Sequence, residues 1–125
     1  MSNIRATTIS DAAGTGPITL TGQTAVKAWI DHSSAAVVND SFNVSSLADN
    51  SSGNHTVNLT NSFNTATSYA VSAMAMDDGN GNGNGVHTSL HPASKLSGAW
   101  RHNQYSWAGS WYDANTYALA VGDLA

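Results

Sequence analysis

Along most of the chain apolar residues return at every second position. Ile18 and Leu20 alternate with threonines in "ITLTG"; Val26, Ala28 and Ile30 stand opposite Lys27 and Trp29 in "VKAWI"; Val38, Phe42 and Val44 share one side of "VVNDSFNV", a row broken only by Asp40. A period of two places successive side chains on opposite faces of extended backbone, so each run predicts a strand. "HTVNLT" alternates cleanly, with Val57 and Leu59 inward and Thr56, Asn58 and Thr60 outward, and "TYALAVGDL" sets Tyr117, Leu119 and Val121 together. "SYAVSAMAM" is apolar on both faces, the pattern of a sheet centre or a subunit contact.

Turn-forming clusters punctuate these runs: "GTGP" at 14–17, "DNSSGN" at 49–54 and "DDGNGNGNG" at 77–85. Such residues accept positive φ or form Asx turns, and the second cluster joins Phe42 and Val44 on one strand to Val57 and Leu59 on the next as a β-hairpin. The Gly-Asn tract at 79–85 reads as a mobile loop, because it buries no apolar area against its ordering entropy. Residues 86–112 alternate poorly and read as a long irregular excursion with one or two irregular strands. The pattern as a whole predicts an all-β protein, an antiparallel β-sandwich (jelly-roll or Ig-like) of about seven to eight short strands over 14–125, preceded by an N-terminal arm at 1–13.

Composition narrows the function classes. Of 125 residues only 10% are charged, against roughly 25% in ordinary soluble domains, so the surface is neutral and polar. Four basic residues and a net charge of −4 leave no patch to neutralise phosphates, which argues against nucleic acid as a partner. Eight aspartates, no glutamate and two lysines supply little for exposed helix faces. There is no cysteine, no apolar stretch of membrane-spanning length and no secretory leader at "MSNIRATTISDAAG", so no membrane partner is expected and synthesis is expected in a cytoplasm.

Candidate chemistry is sparse. Five sequons, at Asn39, Asn43, Asn50, Asn54 and Asn58, follow from strand faces and turns rich in Asn, Ser and Thr rather than from glycosylation. Asp78, Asn80, Asn82 and Gly83 have the spacing of a calcium loop, but Ser89 replaces the bidentate Glu, leaving at most a weak Ca²⁺ site at Asp77 and Asp78. His87 and His91 are four apart and His102 follows, a helical ligand spacing that Pro92 undoes; they read as loop histidines, and neither metal nor cofactor is expected. No nucleophile elbow and no carboxylate pair mark an active site, so the chain does not read as an enzyme. The aromatic cluster Trp100, Tyr105, Trp107, Trp111 and Tyr112 is the candidate contact surface for a receptor or partner, with core packing as its competing role.

The string "GTGPITLTGQTAVKAWIDH" followed by "NDSFNVSSLADNSSGNHTVNLT" resembles a segment of phage and prophage tail-fibre-like structural proteins. The matching residues are Lys27 to Ile30, Asp40 to Ser46 with Asp49 and Asn50, Gly53, and His55 to Thr60. The likeness spans 14–76 well, the last ten residues loosely, and 77–112 not at all. It implies a β-rich, trimeric virion component, assembled in the host cytoplasm, whose partners are its own copies and other virion proteins of the tail or the major capsid protein. A tail-fibre or tail-tip role in host attachment, toward a surface glycan or receptor, is the first expectation. A capsid decoration or head-fibre protein that binds and stabilises the head shell is the second, favoured by the short chain.

Overall fold

The computed structural model describes residues 25–76, 86–106 and 109–124. Eight strands follow in order: β1 (Val26–His32), β2 (Val38–Phe42), β3 (Val44–Ser51), β4 (Asn54–Leu59), β5 (Tyr69–Ala75), β6 (Val86–Leu96), β7 (Ala99–Ser106) and β8 (Thr116–Gly122). They form two four-stranded sheets, ordered β2-β1-β8-β5 and β3-β4-β7-β6, with every strand pair antiparallel. This is the predicted antiparallel sandwich. The proposed arm at 1–13, the "ITLTG" run, the "GTGP" turn and the Asp77–Gly85 loop with its calcium spacing lie outside the described residues. Among the described residues no helix is long and apolar enough to cross a membrane.

Between the sheets lie Ala28 and Ile30 of β1, Val57 and Leu59 of β4, Trp100 of β7, Ala118 and Ala120 of β8, and Tyr69 with Phe63. Phe63 and Tyr69 stack with centroids 4.1 Å apart, the Tyr69 hydroxyl reaches the carbonyls of Leu96 and Ala99, and the Lys95 ammonium sits over the Tyr69 ring. Burial pushes the Tyr69 phenol up to about 12, so it remains a donor at any ordinary pH.

Two expectations change. First, "VVNDSFNV" is not one strand: Asn43 adopts φ 57, ending β2 in the first sheet and starting β3 in the second. Its carboxamide closes the corner, donating to the carbonyls of Lys27 and Asn61 and accepting from the Asn61 backbone N–H. Phe42 therefore belongs to the first sheet and is exposed, while the hairpin to Val57 and Leu59 begins at Val44. Second, the stretch from residue 86 holds two regular strands, β6 and β7, paired through a register shift between Leu90 and Lys95. Tyr117 and Leu119 share a face of β8 as the alternation groups them, and it is the outer one: the alanines between them turn inward, where the bulk of Trp100 and Ile30 leaves room only for small side chains.

Candidate functional site

The inward row of three strands ends or continues in histidine. In β1 it runs Ala28, Ile30, His32; in β4, His55, Val57, Leu59; in β7, Trp100, His102, Gln104. The register of β4 on β7 sets His55 directly opposite His102, as it sets Val57 opposite Trp100, and His32 meets them from the other sheet. Ring centroids are 5.0 Å apart for His32 and His55, 5.2 Å for His32 and His102, and 5.6 Å for His55 and His102. All three residues are 0% exposed.

The hydrogen bonding around these rings is incomplete. His32 Nδ1 lies 3.0 Å from the Ser33 carbonyl, an acceptor only, so Nδ1 carries the proton and Nε2 presents a lone pair. That lone pair faces His102 Nε2 at 3.1 Å. His102 Nδ1 and both nitrogens of His55 are buried and have no hydrogen-bond partner among the described residues. The nearest carboxylate oxygen to His55 is Asp113 Oδ1, 3.8 Å from its Nε2 and too far to hydrogen-bond. Burial, with the neighbouring rings adding to it, lowers the His102 pKa to about 3, and burial likewise lowers that of His32. Both are neutral near pH 7.

Asp113 is fixed by the β3–β4 turn. Its Oδ1 accepts the Gly53 N–H, while the Gly53 carbonyl accepts the Gln104 N–H at 2.7 Å. Gly53 has φ +66, and a Cβ there would meet the Gln104 carbonyl oxygen at 2.4 Å and the Tyr112 nitrogen at 2.8 Å, so this turn admits only glycine. Below the histidines, Gln104 is satisfied: Oε1 accepts from the Ala114 N–H at 2.8 Å, and Nε2 donates to the Ala114 carbonyl and to Thr116 Oγ1. Of the five buried side-chain polar atoms without a partner among the described residues, three belong to the histidine layer, the others being Trp100 Nε1 and Thr88 Oγ1.

One nitrogen from each of His32, His55 and His102 lies within 4.8 Å of the others, the donor set of a late first-row divalent ion. Helical spacing does not produce this group. His87 and His91 fall on β6, where four residues of extended chain span about 13 Å, and His102, the third histidine singled out at residues 87–102, belongs to it. The signal that marks the set is different: each histidine extends a period-two inward row of apolar residues.

The aromatic cluster divides. Trp100 is fully buried in the core and unavailable to a receptor, and Tyr112 is half-buried. Tyr105 and Trp111 are 41% and 53% exposed, packed edge to face at 5.2 Å, with the Tyr105 hydroxyl donating to the Gly109 carbonyl. Trp107 lies outside the described residues.

A second surface feature covers the outside of the β2-β1-β8-β5 sheet. Cross-strand pairing sets Phe42, Trp29, Leu119 and Ser72 in one row and Asp40, Asp31, Tyr117 and Met74 in the next. Met74 is 67% exposed, Phe42 55%, Tyr117 45% and Leu119 40%, around a shallow depression of about 260 Å³. Scanned against protein-family models, curated proteins and solved structures, the chain matches none.

Proposed function

We propose that this protein is a bacteriophage virion structural component, a small homotrimeric module of the tail-fibre or tail-tip type that mediates or supports host attachment. The class rests on the resemblance of residues 14–76 to tail-fibre-like proteins. The observation that supports a self-assembling structural role is the outer face of the first sheet, where exposed Phe42, Leu119, Tyr117 and Met74 adjoin the half-buried Trp29 among the described residues. Large exposed apolar patches mark interaction sites, and a closed ring of identical copies buries such a face without leaving a free surface to propagate. Three copies turning this face toward a common axis account for it.

In this reading the exposed Tyr105–Trp111 pair is the receptor-facing contact. Flat aromatic surfaces with a polar handle suit sugar rings, and repetition around the axis multiplies a weak single contact. The test is sedimentation of the purified protein together with quantitative imaging of labelled virions. A threefold chain mass and a few to a few dozen copies on the tail support the proposal. A monomer, or a protein absent from virions, overturns it, and hundreds of copies on the head move the assignment to shell decoration.

A further inference from the structure

We propose that His32, His55 and His102 form a structural zinc site that ties the two sheets together through the core. Unlike the reading of the protein as a virion component, this rests only on side chains within one chain. Three imidazoles meet at one level of the sandwich, one from β1 and two from β4 and β7, each 0% exposed. A purely packing role would favour apolar side chains here, or histidines with partners, since a buried polar atom without one costs about 1–3 kcal/mol. Instead three of their six ring nitrogens are buried without a partner among the described residues. An ion ligated by His55 converts one of these orphaned nitrogens into a bonded one and takes the two facing Nε2 atoms of His32 and His102 as its other ligands.

The distances fit zinc. With Zn–N bonds of about 2.0–2.1 Å, two ligand atoms of a tetrahedral ion stand about 3.3–3.4 Å apart. His32 Nε2 and His102 Nε2 are 3.1 Å apart, and one nitrogen of each of the three rings lies within 4.8 Å of the others, so closing on an ion needs shifts of about 1 Å or less in rings already facing one another. His32 is held for this role: its Nδ1–H donates to the Ser33 carbonyl, the outer hydrogen bond that fixes a ligating imidazole and directs Nε2 inward. On binding, the proton now shared between the two Nε2 atoms leaves that line, and neutral His102 carries its proton on Nδ1.

Three neutral ligands leave the ion's charge uncompensated, and Asp113 stands 3.8 Å from His55 Nε2 to offset part of it. With three protein ligands the fourth position falls to a water, and full burial of all three rings keeps substrate from it, so the ion is structural. In a chain without cysteine, the ion supplies the cross-link between sheets that disulfides supply elsewhere.

The experiment uses the whole chain, stripped with a chelator and titrated with Zn²⁺ and, as a spectroscopic probe, Co²⁺. We expect one equivalent bound per chain, a rise in Tm of several degrees, and visible Co²⁺ absorption of a four-coordinate nitrogen-rich site. His55→Ala and His102→Ala should each weaken binding by more than about 100-fold, since loss of even an outer partner costs 10–100-fold, and Asp113→Asn should weaken it less. Should a histidine variant fail to fold, X-ray absorption on the zinc-loaded wild type decides: three imidazoles at about 2.0 Å support the site, and a shell of oxygens overturns it. No uptake with an unchanged Tm, or uptake that survives replacement of all three histidines by leucine, also overturns it.

Discussion

The two sheets show opposite exteriors. On the β3-β4-β7-β6 sheet a ladder of outward polar side chains satisfies itself beside the exposed Tyr105 and Leu96: Asn58 donates to Ser46 Oγ, Asn50 to Thr56 Oγ1, Asn54 to Asn103 Oδ1, and Arg101 Nε to Thr56 Oγ1. On the β2-β1-β8-β5 sheet the corresponding positions include Trp29, Phe42, Leu119, Tyr117 and Met74, with Asp31 and Asp40 at one side and Ser72 among them. Both sheets bury their inner faces, so the difference does not come from core formation. A polar ladder of short side chains suits permanent contact with water, whereas an apolar face of this extent calls for a second surface.

The comparison can be broken at several points. The greatest effect is expected from Val57→Asp, which places a carboxylate at a 0% exposed position against Trp100; the protein should fail to fold, seen as loss of β signal by circular dichroism. Next is acid. In chelated protein the folded-state pKa of His102 is depressed to about 3 from 6.5, so the unfolded chain binds more protons between these values. Stability is therefore full above about pH 6.5 and declines as pH falls toward 3, with His32 acting in the same direction, and the urea midpoint should follow. A stability that rises over that interval would contradict the neutral histidine layer.

Leu119→Asp strikes the apolar exterior, where the residue is 40% exposed, and should convert an oligomer to monomers in sedimentation while shifting Tm little; Thr56→Asp on the other exterior should leave the mass unchanged. Asn43→Ala removes the corner carboxamide and its bonds to Lys27 and Asn61, with an expected loss of about 1–2 kcal/mol by urea titration. Asn58→Gln, on the hydrogen-bonded exterior, should change stability by less than about 0.5 kcal/mol. Equal damage from Val57→Asp and Asn58→Gln would mean that the faces of β4 are reversed.

How far these features were legible differs by the physics behind them. Where one face is buried and the other solvated, as in "HTVNLT", period two reports the strand and its orientation together, and β4 follows. Where both faces are apolar, as in β8, the pattern reports a strand but not which side is inside; that depends on the bulk of Trp100 across the core, a long-range fact. The corner at Asn43 hides in a continuous alternation because asparagine tolerates the left-handed region without the glycine that would announce it. The candidate site was the least legible part. His32, His55 and His102 are far apart in sequence, and spacing rules for ligands assume helices or short loops, whereas a sandwich brings ligands together through register and facing sheets.

The polar ladder has one more consequence, in chemical ageing. Asparagine deamidates when its side-chain carbonyl carbon is attacked by the following backbone nitrogen, a step that needs a free carboxamide and a pliable chain. At Asn43, Asn50, Asn54 and Asn58 the carboxamide nitrogen is tied to a neighbour, and Asn54 and Asn58 are also paired across the β3–β4 ladder. The same bonds that hold this surface in register slow that reaction at these four asparagines.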